Sequence, residues 1–385
     1  MICISGKASR SFHPIIGVVA KNHRPIFARK NTIFVTEELD KSCIGYKACI
    51  SSGRKGYFFH PDHIYNCKDI EILHDGDIVR IDATGCVSVL WEIKSHQNAF
   101  MITEACNCKC IMCPQPPRQH SPQLLQEAQC TLNLLKNKYI KQICITGGEP
   151  TLLGNNFIDF LHRCINEHPA ANIDILTNGK NFSDREFTRN VAQVATNNVC
   201  FCVSLHSDID TLHDNIVGAN GSFSKTSLGL YNLAEYGCKI EIRHVINKYN
   251  YRRLINFAEH IYNYFPFCSH YAFMGMELYG NAASNKKEVD ISPLDYRDEL
   301  SDAILYLKRR GLPISIYNIP LCLCRKEVRE FARQSISSWK NLYVKECDNC
   351  DLKKDCAGFF STSVSLPINH IKPMKGVLED VRHVF

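Results

Sequence analysis

The amino-acid sequence predicts an α/β protein, a partial (β/α)6 TIM-type barrel with an N-terminal β-rich domain and a C-terminal cysteine-rich region. Three observations predict this class. Short apolar runs alternate with amphipathic stretches from residue 97 onward, the residues before 95 form short apolar runs broken by Gly and Asp, and the dense cysteine groups lie at 106–113 and 347–356. Repeated β-then-α units indicate a parallel sheet, which right-handed crossovers curl into a full or partial barrel.

The N-terminal region, residues 1–95, is predicted to be a separate β-rich domain. Its strand-like runs include residues 32–35 and 77–81, and Gly, Asp and Pro separate them. No catalytic constellation is visible in this region. His60, Asp62 and His63 lie close enough in sequence to ligate a metal, but an exposed Pro-containing loop explains them equally well.

The barrel core is predicted over residues 96–285. Six strand candidates lie at 99–103, 142–146, 173–177, 199–205, 239–245 and 270–274. The amphipathic stretches between them predict helices at 121–136, 156–168, 183–195, 224–236 and 251–265. In such a barrel the active site lies at the C-terminal ends of the strands. A helical stretch at 293–310 and a strand at 313–317 lead into a predicted cluster-binding region over 286–365, and residues 366–385 are predicted to be a loosely attached tail.

Composition narrows the possible functions. There are 21 cysteines among 385 residues, but a chain of this length with 45% hydrophobic residues can bury a large core, which excludes a small secreted disulfide scaffold. Neither a signal-peptide pattern nor a run approaching ~20 apolar residues is visible, so we expect a cytoplasmic protein without a membrane span. The net charge of +6 is spread along the chain, which argues against a nucleic-acid partner.

The first cysteine group follows the first barrel strand. Cys106, Cys110 and Cys113 form a CxxxCxxC pattern. Three thiolates suit a four-iron cluster in which one iron keeps an open position. Zinc is the alternative, because Cys108 adds a fourth sulfur to the same loop. A CxC segment cannot easily direct both sulfurs to one centre, so Cys108 is interpreted as a bystander.

This pattern, followed one βα unit later by Gly147, Gly148, Glu149 and Pro150, resembles the radical S-adenosylmethionine (SAM) superfamily. The resemblance implies that residues 147–150 hold the methionyl amino group of SAM, to which Glu149 offers a carboxylate. The glycines let the backbone come close to a ligand. The residue before the third cysteine is often aromatic in that superfamily, whereas Met112 stands here and is assigned to the adenine.

Three residues on later strands are further candidates for binding SAM. Asn178 follows the third strand, Ser204 lies near the end of the fourth, and Arg243 lies on the fifth. In similar enzymes, a serine at the fourth strand reaches the ribose and an arginine on the fifth pairs with the methionyl carboxylate. The segment Met274-Gly275 would pass near the adenine.

The second cysteine group reads CxxCx5C and comprises Cys347, Cys350 and Cys356. A closed metal site needs a fourth ligand, for which Cys322 and Cys324 are the nearest candidates. Zinc would be the conventional interpretation of such a group in isolation. After a radical SAM barrel, the spacing resembles the auxiliary-cluster region of the SPASM and twitch subgroups, which favours a second [4Fe–4S] cluster.

A narrower resemblance is to the His-Xaa-Ser system radical SAM maturases of the HxsC type. It rests on residues 112–117, 212–214, 241–243, 317–318, 338–341 and 356–360. In that family a cysteine follows the Tyr-Asn strand at the position of Cys322, so Cys322 is preferred to Cys324. The resemblance implies an enzyme that abstracts hydrogen from a precursor peptide with His-Xaa-Ser repeats. A companion radical SAM maturase and a flavodoxin- or ferredoxin-like electron donor are the implied partners.

Two other functions stay open, and so does the chemical outcome. The chain could instead be a non-catalytic iron–sulfur or zinc protein that binds the precursor, or a radical SAM enzyme acting on RNA or a small molecule. Crosslinking, epimerisation, desaturation and cleavage all begin with the same hydrogen abstraction. Cys200, Cys202 and Cys268 could donate a hydrogen atom, and Cys202 is preferred because it shares a strand face with Ser204.

Overall fold

A computed structural model describes residues 3–38, 43–54, 62–119, 121–334, 341–360, 362 and 371–376. The chain divides into two compact units. The first comprises residues 1–102, 121–145 and 163–172, and the second comprises 103–120, 146–162 and 173–385. In the described part of the chain, every helix is too short or too polar to cross a membrane. The predicted domain boundaries at 95, 285 and 365 stay predictions.

The first unit contains an eight-stranded mixed sheet. Its strands, in chain order, are β1 Cys3–Ser5, β2 Lys7–Ala8, β3 Ile15–Ala20, β4 Thr32–Thr36, β5 Ala48–Ser51, β6 His63–Tyr65, β7 Ile78–Ile81 and β8 Cys86–Trp91. They are ordered β1-β8-β7-β3-β4-β5-β6-β2. Strands β3 to β6 pair in parallel and the other neighbours are antiparallel. Ile33, Ile50 and Ile64 are fully buried in this unit, and the predicted β-rich N-terminal region is confirmed.

Three further elements begin the strand–helix alternation, namely β9 Asn98–Met101, α1 Pro122–Leu135 and β10 Gln142–Thr146. Helix α1 starts where the sequence supplies a cap. The Ser121 hydroxyl accepts a hydrogen bond from the Gln123 amide at 3.3 Å, and Pro122 occupies the first helical position, where a missing N–H costs nothing.

The second unit contains a parallel sheet. Its strands are β11 Asn172–Thr177, β12 Val199–Ser204, β13 Lys239–Val245, β14 His270–Met274, β15 Ile314–Tyr317 and β16 Ala332–Arg333, each paired in parallel with the next. The predicted α/β class with a parallel sheet is confirmed, and this architecture is consistent with the predicted partial TIM-type barrel.

Helices alternate with these strands. They are α2 Asn155–Glu167, α3 Arg185–Val194, α4 Asp210–Val217, α5 Ser222–Glu235, α6 Leu254–Tyr264, α7 Asn281–Ser284, α8 Lys286–Val289 and α9 Pro293–Lys308. Sequence periodicity predicted α1, α2, α3, α5, α6 and α9. It missed α4, α7 and α8, which span at most eight residues and are too short to show a helical repeat.

One face of the second unit's sheet carries polar side chains. On β13, Ile240, Ile242 and His244 are buried, whereas the alternate residues Glu241 and Arg243 are partly exposed. Because side chains alternate between faces along a strand, the partly exposed residues of neighbouring strands share one face. The loops that follow β9, β10 and β11 carry the candidate site.

Candidate metal and cofactor site

The three predicted cluster ligands lie in one loop, after β9. Cys106, Cys110 and Cys113 are each partly exposed. Burial, together with the negative charges that Cys113 and Cys106 would carry, raises the pKa of Cys110 to about 12. This mutual effect shows that the three sulfurs are electrostatic neighbours. A bound metal cation would reverse the effect, because a coordinating thiol loses its proton.

Two short helices hold the backbone of this loop. The Asn281 amide donates to the Cys113 carbonyl at 2.8 Å, and its side chain donates to the Cys110 carbonyl at 2.9 Å. The Asn285 side chain donates to the Ile111 carbonyl at 2.8 Å. Sequence reasoning missed both asparagines, since they lie about 170 residues further along the chain, and no spacing pattern links them to the cysteines.

The cysteine loop and the predicted Gly-Gly-Glu-Pro segment are hydrogen-bonded to each other. The Gly148 amide donates to the Thr103 carbonyl and the Glu149 amide donates to the Ala105 carbonyl, both at 2.8 Å. A Cβ on Gly148 would lie 2.3 Å from the Ala105 oxygen, and one on Gly147 would lie 2.6 Å from the Thr103 oxygen. The glycines therefore permit the close approach of two backbone segments.

Glu149 is fully buried and receives hydrogen bonds from its own surroundings. Its Oε1 accepts from the Thr151 amide, the Thr151 hydroxyl and the Thr177 hydroxyl at 3.1, 2.6 and 2.8 Å, and its Oε2 accepts from the Asn178 amide at 2.7 Å. Burial raises the pKa of this carboxyl group despite these donors. Glu149 and the buried turn that starts at Pro150 thus tie the loop after β10 to the end of β11. Direct contact of the Glu149 carboxylate with an amino group stays a prediction.

Asn178 and Lys180 direct donors toward the cysteine loop. The Asn178 side-chain amide donates to Asn107 Oδ1 at 2.7 Å and lies 3.6 Å from Cys108 Sγ. The buried Lys180 ammonium donates to the Asn107 carbonyl at 3.0 Å and lies 3.7 Å from Cys108 Sγ. Asn178 was predicted from the strand end. Lys180 was missed, although its place two residues later in the same turn was an available signal.

Cys108 is buried, unlike its three neighbours in the loop. A hydrogen bond between the Cys106 and Cys108 side chains raises the pKa of Cys106 and lowers that of Cys108. The Cys108 sulfur faces Asn178 and Lys180. Its interpretation as a bystander stays a prediction.

Met112 belongs to an apolar cluster. Its side chain is buried with Ile216, Leu278 and Val289, and the Asn247 side chain lies 3.3 Å from its sulfur. This packing fixes the loop next to Cys113. The predicted contact between Met112 and adenine stays a prediction.

Ser204 and Arg243 lie opposite each other on β12 and β13. Arg243 forms an ion pair with Glu241, whose other oxygen lies 2.6 Å from Nδ1 of His270, and His270 Nε2 lies 3.0 Å from the Ser315 hydroxyl. Burial alone would raise the pKa of Glu241, but Arg243 and then His270 outweigh it and hold the pKa at about 2. The predicted cationic residue is therefore half of an ion pair, and its contact with a methionyl carboxylate stays a prediction.

The candidate hydrogen donor Cys202 lies on the same polar face. Asp174 is opposite Cys200 across β11 and β12, and the ligand atoms of Asp174, Cys200 and Cys202 lie within 4.8 Å of one another. Hydrogen bonding to Cys200, followed by burial, raises the pKa of Cys202. A protonated thiol is the form that a hydrogen-atom donor requires. Cys268 is buried as well.

The second cysteine group lines a cavity. Cys322, Cys347, Cys350 and Cys356 all face it. Burial raises the pKa of Cys322 to about 12, and the negative charges that the other three thiols would carry contribute to the increase. The structure thus brings the four predicted auxiliary ligands together.

Cys324 is placed differently. It is buried but is not among the residues that line this cavity, and its carbonyl accepts a hydrogen bond from Arg329 Nε at 3.2 Å.

Backbone amides also point at the second cysteine group, where Leu321 and Gly358 donate to Cys356 Sγ at 3.3 and 3.4 Å. N–H donors of this kind orient and tune metal thiolates.

Some predicted features lie outside the described residues. They are His60 of the N-terminal His/Asp group, residues 338–340 of the narrower family resemblance, and residues 366–370 and 377–385 of the tail.

Comparison with known proteins identifies a domain. Residues 100–261 match the domain model of the Radical SAM superfamily. No curated protein matches the chain. Among solved structures, Streptococcus suis SuiB bound to S-adenosylmethionine is 16% identical over 58% of this chain and 50% of its own, with a TM-score of 0.48.

Two other solved structures are similar. Native anSMEcpe with bound AdoMet and a Cp18Cys peptide is 18% identical over 57% of this chain and 62% of its own, with a TM-score of 0.43. A radical SAM methyltransferase from Sphaerobacter thermophilus is 13% identical over 63% of this chain and 74% of its own, with a TM-score of 0.42. The chain spans about half the length of SuiB.

Proposed function

We propose that this protein is a radical SAM maturase that abstracts hydrogen from a ribosomally made precursor peptide. The observation that carries the proposal is the backbone hydrogen bonding between two motifs of the superfamily domain. The loop bearing Cys106, Cys110 and Cys113 is hydrogen-bonded directly to the Gly148–Glu149 segment. Three thiols and a segment suited to an amino acid headgroup therefore lie side by side.

The donor set of the first loop fits a four-iron cluster with one open position. A four-iron cluster held by Cys106, Cys110 and Cys113 would, once reduced by an external one-electron donor, supply reductive cleavage of SAM and with it the means to abstract a hydrogen atom from the substrate. The chain's own contribution is preorganisation. Asn281 and Asn285 fix the loop carbonyls, and Glu149 fixes the adjoining segment. A loop held in this way spends little free energy on ordering when the ligand binds.

Binding of SAM is assigned to groups around this loop. The backbone of residues 147–150 would meet the amino group, Ser204 the ribose, Arg243 the carboxylate, and Met112 the adenine. The buried Lys180 ammonium adds positive charge next to the loop. The polar face with Glu241, Arg243 and His270 would lie beneath a polar peptide substrate.

The second cysteine site is assigned a closed [4Fe–4S] cluster. Cys322, Cys347, Cys350 and Cys356 are four thiols around one cavity, which leaves no position for substrate on the metal. A closed site suits electron transfer, such as accepting the electron released when a substrate radical is oxidised. Cys322 is chosen over Cys324 because it faces the cavity.

The finer assignments follow the resemblance to the HxsC type. They are a precursor with His-Xaa-Ser repeats, a companion radical SAM maturase of the same system and a flavodoxin- or ferredoxin-like donor, all in a reducing cytoplasm. A cytoplasmic setting would keep the 21 cysteines reduced. Cys202 is proposed as the hydrogen donor if the outcome is epimerisation.

Anaerobic reconstitution tests the proposal. We expect about eight irons per chain, and about four when Cys106, Cys110 and Cys113 are all replaced by Ala. Incubation with SAM and a reductant should yield 5′-deoxyadenosine from the wild type and none from this triple variant. Cys130→Ala is the matched control, since Cys130 is exposed on α1 and belongs to neither cysteine site.

The peptide substrate requires a second measurement. Mass spectrometry of the precursor after co-expression with this protein and its companion should show a modified product that disappears with the triple variant. An intact cluster without 5′-deoxyadenosine would instead identify a non-catalytic partner protein. Deoxyadenosine production with an unmodified precursor would leave the enzyme class standing and overturn the substrate.

A further inference from the structure

Residues 371–376, which the sequence assigns to a loose tail, are hydrogen-bonded to the second cysteine group. The Asp351 amide donates to the Met374 carbonyl at 2.9 Å, and the Gly376 amide donates to Asp351 Oδ2 at 2.9 Å. The Met374 amide lies 3.4 Å from Cys350 Sγ and donates to it. This short segment thus binds Asp351, the residue next to Cys350, through both its backbone amide and its carboxylate.

The same segment supplies one wall of the cavity that the four cysteines line. Ile371, Lys372, Pro373 and Met374 all face it. Ile371 is only 8% exposed, so the segment is packed on the protein and not merely laid over it. Met374 also packs on the apolar cluster that contains Cys350 and Cys356, whose buried members are Leu321, Ala332 and Leu352.

An ion pair near the end of the segment adds to these hydrogen bonds. Lys375 Nζ lies 3.5 Å from Asp351 Oδ1, while the other carboxylate oxygen accepts from the Gly376 amide. Both side chains are well exposed, so the ion pair itself contributes little. The backbone hydrogen bonds and the buried Ile371 are the contacts that hold the segment.

We propose that residues 371–376 are a functional part of the second metal site, with two separable effects. The segment shields the metal from solvent and oxygen, and the Met374 amide raises the reduction potential of the cluster. The proposal rests on the assignment of a [4Fe–4S] cluster to this site. An N–H directed at a cluster sulfur places the positive end of a dipole next to the charge added on reduction, and so favours the reduced form.

The two effects call for two kinds of variant. Ending the chain after residue 370 removes the segment, whereas ending it after residue 376 removes only residues 377–385 and is the matched control. Met374→Pro removes the amide hydrogen, because proline has no backbone N–H. Met374→Ala keeps the amide hydrogen and removes the same side-chain packing.

All forms are made in a background that lacks the first cluster, with Cys106, Cys110 and Cys113 replaced by Ala, and the full-length protein with these three substitutions is the parent. Iron content, the rate at which air bleaches the visible absorbance, and the midpoint potential from an EPR-monitored redox titration are recorded for each form. Truncation after 370 should bleach severalfold faster than truncation after 376. Met374→Pro should have a lower midpoint potential than Met374→Ala, which should match the parent.

The outcomes separate this inference from the proposed function. Iron in the parent, with equal bleaching rates for the two truncations and equal potentials for the two Met374 variants, overturns the role of residues 371–376 and leaves the cluster assignment intact. About one zinc and no iron in the parent overturns the cluster assignment and this inference together. If truncation after 370 prevents folding, the Met374 pair alone decides the effect on potential.

Discussion

The two cysteine sites of the second unit are built in contrasting ways. The first presents three thiols in one loop. Asn281 of α7 and Asn285, the residue before α8, fix the backbone of this loop, and Asn178 and Lys180 place polar groups next to it. The second presents four thiols around a cavity with apolar walls, which include Leu321, Phe359 and Ile371.

The difference teaches how ligand number and surroundings divide the chemistry. Three thiols leave one iron of a four-iron cluster open, and nearby donors and charges can then hold a polar ligand on it. Four thiols behind an apolar wall would close a bound metal to further ligands and reduce its exposure to water. Substrate chemistry is expected at the first site and electron transfer at the second.

The largest expected effect is the loss of 5′-deoxyadenosine formation when a ligand of the first site is removed. Cys110→Ala should abolish 5′-deoxyadenosine formation, because two thiolates cannot retain the open cluster. Cys108→Ala should keep that activity if Cys108 is a bystander. Product quantification after a fixed anaerobic incubation checks both. Equal loss in the two variants would show that Cys108 is a ligand and that the predicted CxxxCxxC set is wrong.

The next effect concerns the second site alone. Cys322→Ala should reduce the iron content from about eight to about four per chain, because a closed cluster needs its fourth thiolate. Cys324→Ala should keep about eight, since Cys324 is buried outside the cavity lining. Iron analysis of the reconstituted variants decides. The reverse result would exchange the roles of the two cysteines.

Acid sensitivity should distinguish the polar face near the first site from the second site. The pKa of Glu241 lies at about 2 in the folded protein against an ordinary value of 4.5, a difference that corresponds to about 3 kcal/mol of folding free energy. Because the folded pKa is lowered, this stability is present above 4.5 and is lost as the pH falls toward about 2.

Thermal unfolding of apo Glu241→Gln across that pH interval measures the contribution. The variant should be less stable than the wild type at neutral pH and should lose less stability on acidification. Glu346→Gln, in the cavity of the second site, is the control and should follow the wild-type curve. Parallel curves for the wild type and Glu241→Gln would contradict the contribution of the ion pair with Arg243.

Local patterns in the sequence predicted some of these features and not others. The α/β class followed from apolar runs and amphipathic stretches, and six helices were found because each extends over at least ten residues. The cysteine groups were visible because their spacing is short. What a residue contacts across the fold was not visible. Glu149, predicted to bind a ligand, accepts hydrogen bonds from Thr151, Thr177 and Asn178. The hydrogen bond from the Met374 amide to Cys350 joins two segments that share no sequence pattern.

The smallest expected effect concerns how the first site is organised before metal binds. Asn281→Ala removes the donor to the Cys110 carbonyl and should lower the free energy of unfolding of the apo protein by about 1 kcal/mol. Ser284→Ala is the control, because its exposed hydroxyl donates to the Gly280 carbonyl next to the same short helix. Chemical denaturation of both apo variants gives the comparison.

Iron uptake then shows which site depends on this hydrogen bond. If the loop is preorganised, Asn281→Ala should slow iron incorporation at the first site and leave the second unchanged, as measured in backgrounds that retain one cysteine group each. Equal uptake by Asn281→Ala and Ser284→Ala at the first site would mean that the metal itself orders the loop. The contrast between the two sites would then reduce to the number of thiols and the walls around them.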